Sequence, residues 1–126
     1  MAAATAGLSV QVFGTPGSQS TRAALRFFKE RRLDAHFVDI SRKPMAPAEL
    51  RRFVDRLGAR AVADETSKAW NDAGLAYMRL DDAELADRLL NDQRLLNIPL
   101  VRIGNSVAAG KNEGAWKAML ALVPSR

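Results

Sequence analysis

The sequence contains no cysteine among its 126 residues. This absence excludes disulfides, thiolate metal ligands and any mechanism that needs a thiol from this chain. Aromatic residues make up only 6%, so we expect no stacking platform for single-stranded nucleic acid. No apolar run approaches the roughly 20 residues of a membrane-spanning helix. Residues 1–7 have no positively charged region, so we expect no signal peptide and a cytoplasmic location.

The composition is that of a globular protein, with 48% hydrophobic and 26% charged residues. We expect one domain over residues 1–126, burying about two thirds of the unfolded surface. The net charge is +5, but acidic residues are mixed among the basic ones. We interpret the basic residues as solvated helix faces, with an acidic partner as the alternative. Direct binding of nucleic acid is not expected.

Residues 14–22, GTPGSQSTR, form the stretch around which the chain is organised. They follow an alternating apolar run, 8–13, and precede a helical run, so they predict a turn between a strand and a helix. The free N–H groups and the dipole of a helix N-terminus favour an anion or a nucleophile. The candidate residues here are Gly17, Ser18, Gln19, Ser20, Thr21 and Arg22.

Hydrophobic periodicity and turn signals predict the order of the remaining elements. Strands are expected at 8–13, 35–40, 97–103 and 106–109, the last two joined by a hairpin at Gly104-Asn105. Helices are expected at 20–32, from Pro47 to Gly58, at 67–73 around Trp70, from Asp81 through Leu90, and from Asn112 through Trp116, Met119, Leu120 and Val123. The order is therefore β-α-β, a helical insertion at about 41–96, and β-β-α, with the first two strands parallel.

Several short motifs in this order are similar to those of a known family. They are Thr15-Pro16-Gly17-Ser18 with Arg22, Phe27-Phe28-Lys29-Glu30, Pro44 with Glu49-Leu50, Ser67-Lys68 with Gly74-Leu75, Ile98-Pro99-Leu100-Val101, and Gly110-Lys111-Asn112-Glu113. Together they resemble the arsenate reductase/Spx (ArsC-like) family of the thioredoxin fold. The resemblance implies an α/β, thioredoxin-like fold with a small mixed sheet flanked by helices, and a cis bond before Pro99.

The resemblance also implies which residues stand at the family's functional positions. The family's redox cysteine falls at Ser18, followed by Arg22, and Thr21 stands where Spx-like members have a second cysteine. Family arginines fall at or near Ile98, Thr66 and Gly110. The nucleophile and most of the oxyanion clamp are therefore missing, and the site residues that remain include Ile98 and Pro99.

Other interpretations of these residues follow from their own chemistry. A serine nucleophile needs an adjacent base, but His36 lies about 13 Å along its strand from the site's end of the sheet. We expect His36 to be a structural or surface residue. Ser18, Ser20 and Thr21 either cap the helix or retain an anion pocket with Arg22. Asp81-Asp82 is expected to be a helix N-cap, Trp70 and Trp116 to be core residues, and no cluster has metal-ligand spacing.

The function expected from this combination is a non-catalytic binding or regulatory module without redox cysteine or cofactor. By analogy with Spx-like members, its partner would be a protein of the transcription machinery, and a small oxyanion is the expected ligand. The alternative is a glutaredoxin-linked arsenate reductase-type oxidoreductase, served by glutathione and glutaredoxin, whose catalytic cysteine is replaced by Ser18. A third alternative is a thiol-independent transferase with a glutathione-like site.

Overall fold

The structure is a computed structural model and describes residues 9–122. Its strands are β1 (Val10–Gly14), β2 (Ala35–Asp39), β3 (Leu100–Ile103) and β4 (Ser106–Ala109). Its helices are α1 (Gln19–Glu30), α2 (Pro47–Leu57), α3 (Ala59–Val62), α4 (Lys68–Asp72), α5 (Asp82–Asn91) and α6 (Glu113–Ala121). Short 3-10 turns occupy Leu75–Tyr77 and Gln93–Leu95. The helices between β2 and β3 fall within the expected insertion.

The four strands form one mixed sheet in the order β2-β1-β3-β4. β1 pairs in parallel with β2, from Val10 opposite Ala35 to Gly14 opposite Asp39. It pairs antiparallel with β3, and β3 pairs antiparallel with β4 through the turn at 104–105. The expected parallel and hairpin pairings are therefore both present. Because β1 lies between β2 and β3, the turn that follows Gly14 begins between two other strands at one end of the sheet.

Alternation along the strands divides the apolar side chains between the two faces of the sheet. One face, with Val12 and Val101, packs against α1 and α6, where Phe28 and Trp116 are fully buried. The other face, with Phe13 and Leu100, packs against the insertion helices, which contribute Trp70 at 3% exposure. Both tryptophans are core residues as expected, so the sheet is held between two apolar layers.

Most local signals place the helix ends correctly. Pro47 is the first residue of α2, and Gly58 ends it with φ 88°, a conformation that favours glycine. Asp81 caps α5 in a capping box with Glu84. Asn112 caps α6, and its side-chain Oδ1 accepts a hydrogen bond from the N–H of Ala115. These ends are set by residues within a few positions of one another, which is why the sequence predicts them.

The structure departs from the expected boundaries at several points. β1 includes Gly14, and β3 begins only at Leu100, with residues 97–99 outside the strand. Leu8, at the expected start of the first strand, lies outside the described residues. In α1 the buried residues are Thr21, Ala24, Phe27 and Phe28, whereas Leu25 is only partly buried. The expected contribution of Val123 lies outside the described residues. Within residues 9–122, no helix has the length and apolar character needed to cross a membrane.

Candidate functional site

Ser18 is the N-cap of α1 and fixes the start of the helix. Its backbone is extended, with φ −80° and ψ 122°, and its Oγ accepts a hydrogen bond from the N–H of Thr21 at 3.1 Å. Its own N–H donates to the carbonyl of Thr15 at 3.1 Å, which closes the turn. The capping interpretation is therefore correct for Ser18, whose hydroxyl oxygen is occupied by the first turn of the helix.

Ser20 and Thr21, the other two hydroxyl residues of the first turn, do not cap α1. Thr21 is fully buried, and its Oγ1 has no hydrogen-bond partner among residues 9–122. Its side chain lies against Gly14, so closely that a Cβ built on that glycine would be 2.7 Å from Thr21 Cγ2. Ser20 makes no side-chain hydrogen bond to any residue within 9–122. Of the two interpretations left open for these hydroxyls, capping therefore holds for Ser18 and not for Ser20 or Thr21, and Thr21 faces the core rather than the helix end.

The unpaired hydroxyl of Thr21 has a measurable consequence. Replacing it by the isosteric Thr21→Val keeps the shape against Gly14 and removes a buried polar group that has no partner. We expect the variant to gain about 1 kcal/mol in free energy of unfolding, since burying an unsatisfied hydroxyl costs at least that much. Urea denaturation of both proteins measures the difference. A loss of stability would mean that the hydroxyl has a partner in solution.

The outer side of the α1 N-terminus is open. Arg22 is exposed, and its Nη1 donates to the carbonyl of Pro16 at 2.9 Å, which leaves most of its five donors free. Gly17 and Gln19 are also exposed. The backbone N–H groups of Gln19 and Ser20 donate to no atom in the part of the chain described here. Two backbone donors that make no hydrogen bond within residues 9–122 and one exposed guanidinium therefore lie near Ser18.

A second segment, Asn97–Pro99, approaches the same turn from β3. The Ile98–Pro99 peptide bond is cis, and Pro99 is buried. The N–H of Gly110 donates to the carbonyls of Asn97 and Pro99, both at 2.9 Å, and so ties β4 to this segment. Ile98 is partly buried, and it places an aliphatic side chain directly before the proline.

The positions where the resemblance places further arginines provide no cation. Gly110 has φ 76°, and a Cβ built on it would lie 2.6 Å from the Nδ2 of Asn97. A larger residue is therefore excluded there unless Asn97 moves. The backbone N–H of Thr66 donates to Asp64 Oδ1 at 2.9 Å in a local turn. With Ile98 at the third position, no cation from these three residues reaches an oxyanion.

A cavity of about 460 Å³ lies between the turn and the insertion. Thr15 and Ile98 both line it, so the structure does bring these two parts of the predicted site together, whereas Ser18 and Arg22 are not among its walls. The full lining is Thr15, Ile40, Ser41, Pro44, Gln93, Arg94, Leu96 and Ile98. Sequence reasoning missed the insertion residues of this cavity, because Gln93 reaches it through contacts with Met45, 48 positions away.

Arg94 is a cation at the cavity, but it is already paired. Its Nε and Nη2 donate to the two oxygens of Asp92 at 2.9 and 2.8 Å. This hydrogen-bonded guanidinium holds the pKa of the Asp92 carboxyl below its usual range, and the carboxylate in turn raises the pKa of Arg94. Asp92 also accepts from the N–H of Arg94 at 3.1 Å. Arg94 is already bonded to an acidic partner, Asp92, so it does not replace the missing arginines.

The other candidate residues do not belong to the site. His36 is exposed and pairs with Gln11, whereas the turn follows Gly14 at the opposite end of β1. It is therefore a surface residue, as expected, and cannot serve Ser18 as a base. Asp81 is occupied as the cap of α5, with its Oδ1 accepting from the N–H of Glu84 at 2.8 Å. Across residues 9–122 no group of His, Asp and Glu side chains is placed to hold a metal ion.

Comparison with known proteins identifies the family. The family model described as ArsC family matches residues 13–119, so the chain belongs to the ArsC family. No curated protein sequence matches this chain.

Solved structures agree with this assignment at the level of the fold. An arsenate reductase from Vibrio cholerae superposes with a TM-score of 0.74 at 18% identity, covering 91% of this chain and 98% of that one. A protein described as YFFB gives 0.80 at 18% identity, covering 89% and 99%. An arsenate reductase (ArsC) related protein from Brucella melitensis gives 0.66 at 14% identity, covering 90% and 96%. The architecture is thus the α/β, thioredoxin-like fold of this family, here without any cysteine.

Proposed function

We propose that this chain is a non-catalytic binding or regulatory member of the ArsC family, with a residual oxyanion site at the N-terminus of α1. The observation that carries the proposal is Ser18. It stands at the N-cap of α1, where the family motif has its reactive cysteine, and its oxygen accepts from Thr21 N–H at 3.1 Å. The hydroxyl thus contributes to the shape of the turn, and an alcohol stands where the family has a thiol.

The argument against catalysis rests on the chemistry of the hydroxyl. A serine hydroxyl does not ionise at neutral pH without a base, and it cannot form the mixed disulfide on which thiol redox cycles depend. The histidine that could act as a base, His36, lies at the far end of the sheet. Position 18 therefore lacks both a thiolate and a means of activating an alcohol.

The argument for an oxyanion rests on the groups that remain open. The N–H groups of Gln19 and Ser20 donate to no atom of residues 9–122, and the 12-residue helix α1 adds its dipole behind them. No acidic residue lies in the first turn of α1, so the helix itself places no carboxylate against an anion. Arg22 adds an exposed guanidinium beside the turn. Because the site depends on this single exposed guanidinium, we expect weak binding.

Titration with sulfate, observed through backbone amide chemical shifts, tests the site. The amides of Gln19 and Ser20 should shift saturably, and Arg22→Ala should weaken binding about fivefold, the usual scale for one exposed charge-assisted bond. The matched control is Lys29→Ala, which removes an exposed cation from the last turn of the same helix. An equal loss in both variants would indicate general attraction to a basic protein, and the proposed site would then be wrong.

The alternative is a glutaredoxin-linked arsenate reductase-type enzyme in which Ser18 replaces the catalytic cysteine. The two functions differ in what Ser18→Cys does in the presence of arsenate, glutathione and glutaredoxin. For a binding module we expect turnover at the background rate from both proteins, because Ile98, Thr66 and Gly110 leave arsenate without paired donors. Turnover by the cysteine variant alone would support the alternative, and turnover by the serine protein would contradict both.

A further inference from the structure

The cavity between the turn and the insertion has mainly apolar walls. Its volume is about 460 Å³, within the range of pockets that hold small molecules. Four of its walls are aliphatic side chains, those of Ile40, Pro44, Leu96 and Ile98. Ile40 and Leu96 are buried at 8% and 3% exposure, so they form a fixed floor rather than a mobile surface.

The polar groups at the cavity are occupied by other parts of the protein. The Gln93 side chain accepts from the N–H of Met45 at 2.8 Å and donates to its carbonyl at 2.9 Å. The Ser41 hydroxyl donates to Asp39 Oδ1 at 2.6 Å. Arg94 is closed on Asp92 by two hydrogen bonds. Arg94 is engaged by Asp92, so an anionic ligand would have to compete with that carboxylate for the guanidinium.

Ile98 stands where the family resemblance places an arginine, and it also lines the cavity. An arginine directly before Pro99 would place a guanidinium at the wall of the cavity, whereas Ile98 places a sec-butyl group there. The same residue that leaves an oxyanion without a donor thus extends the apolar lining from Leu96 toward the turn. The cavity is mainly apolar because isoleucine replaces arginine at position 98 and because Arg94 is paired with Asp92.

We propose that this cavity is a binding site for a small, uncharged, mainly apolar molecule, whose body packs against Ile40, Leu96 and Ile98. The Thr15 hydroxyl at the rim is a neutral group that can bond to one polar end of the ligand. This goes beyond the proposed oxyanion site, because Ser18, Gln19 and Arg22 do not line the cavity. The two sites take different ligands and are tested by different probes.

The probe for the test is N-phenyl-1-naphthylamine, an uncharged aromatic amine that fluoresces in apolar surroundings. For its roughly 17 non-hydrogen atoms, ordinary ligand efficiency corresponds to a dissociation constant of about 0.2 mM or tighter. We expect saturable binding to the full chain at this strength.

Ile98→Arg should weaken the binding of the probe at least about tenfold, because the guanidinium enters the apolar wall. The control is Leu122→Arg, which places the same charge on an apolar residue that is 74% exposed and outside the cavity.

Two further measurements keep the proposal falsifiable if Ile98→Arg fails to fold. Ser41→Trp, at an exposed position on the rim, should fill the cavity and reduce binding to a similar degree. Displacement of the probe from the unaltered protein should require about tenfold more 1-naphthalenesulfonate than 1-naphthol. Equal displacement by the two compounds would contradict the uncharged ligand class. Absent binding, or binding that Ile98→Arg and Ser41→Trp leave intact, would overturn the site. Either result leaves the sulfate titration of the α1 N-terminus unaffected.

Discussion

Ser18→Cys is expected to produce a thiol whose pKa lies at least about one unit below the reference of about 8.5. The new sulfur would replace an oxygen that already accepts the N–H of Thr21. It would also face the free N–H groups of Gln19 and Ser20 and the dipole of α1. Each of these stabilises the thiolate relative to the thiol, and the exposed Arg22 guanidinium adds to the effect. The N–H groups belong to the backbone, so they remain after substitution.

The rate of alkylation by iodoacetamide as a function of pH measures this pKa, since only the thiolate reacts. Ser67→Cys is a matched control. Ser67 also caps its helix, α4, with its Oγ accepting from Trp70 N–H at 3.1 Å, although its hydroxyl donates to the Asp64 carbonyl at 2.9 Å and α4 has only five residues. Its dipole is therefore shorter, and we expect the pKa of the Ser67→Cys thiol to lie between that of Ser18→Cys and the free value.

Two outcomes would contradict this expectation. A midpoint at or above the free-cysteine value would mean that the turn no longer has the geometry seen in the structure. Equal values for Ser18→Cys and Ser67→Cys would mean that local capping alone sets the pKa and that α1 and Arg22 add nothing. In that second case the oxyanion proposed to bind at α1 would also lose its electrostatic basis.

The elements that the sequence predicts best are those specified by neighbouring residues. The turn from Gly14 to Ser18, the start of α2 at Pro47 and the cap at Asp81 each depend on groups a few positions apart. The family motifs then place these elements in the thioredoxin-like order, which the sheet order β2-β1-β3-β4 realises. Local capping chemistry and the order of motifs are therefore sufficient for the architecture.

The sequence does not predict which side chains of the first turn point inward. Ser18 and Thr21 both carry hydroxyls near a helix start, and capping chemistry alone allows either to serve. The structure assigns the cap to Ser18 and buries Thr21, because the side of α1 that faces the sheet is fixed by Ala24 and Phe28 further along. That choice depends on packing across the whole helix and cannot be read from the turn itself.

The cavity is a second feature that the sequence could not reveal. Gln93 bonds to the backbone of Met45 across 48 positions, which holds the end of the insertion against the loop after β2, where the cavity lies. No spacing rule relates these two residues. The motif around Pro99 does identify Ile98 as a site residue, but it does not predict that Ile98 lines a cavity. Contacts between distant segments determine the shape, and individual motifs determine only what each segment contributes.

Gly14→Ala is expected to cost about 2–3 kcal/mol of unfolding free energy, the upper range for overpacking a tight site. A Cβ on Gly14 would meet the Thr21 side chain, with Cγ2 at 2.7 Å and Cβ at 3.0 Å. Thr21 is fully buried and cannot turn away. The glycine at the end of β1 is therefore required by a close approach of α1, and the same contact positions the turn that ends at Ser18.

A double-mutant cycle isolates this contact from other effects of the substitution. In the Thr21→Ala background only the Cβ at 3.0 Å remains, so Gly14→Ala should cost less than half as much there. The control is Gly17→Ala in the same turn, where a built Cβ meets nothing within 4 Å. That variant should be neutral or more stable by up to about 0.5 kcal/mol, since alanine restricts the unfolded chain. Urea denaturation of the five proteins gives all the terms. If Gly14→Ala costs as much with alanine at position 21 as with threonine, the glycine is required by its own backbone and not by the approach of α1.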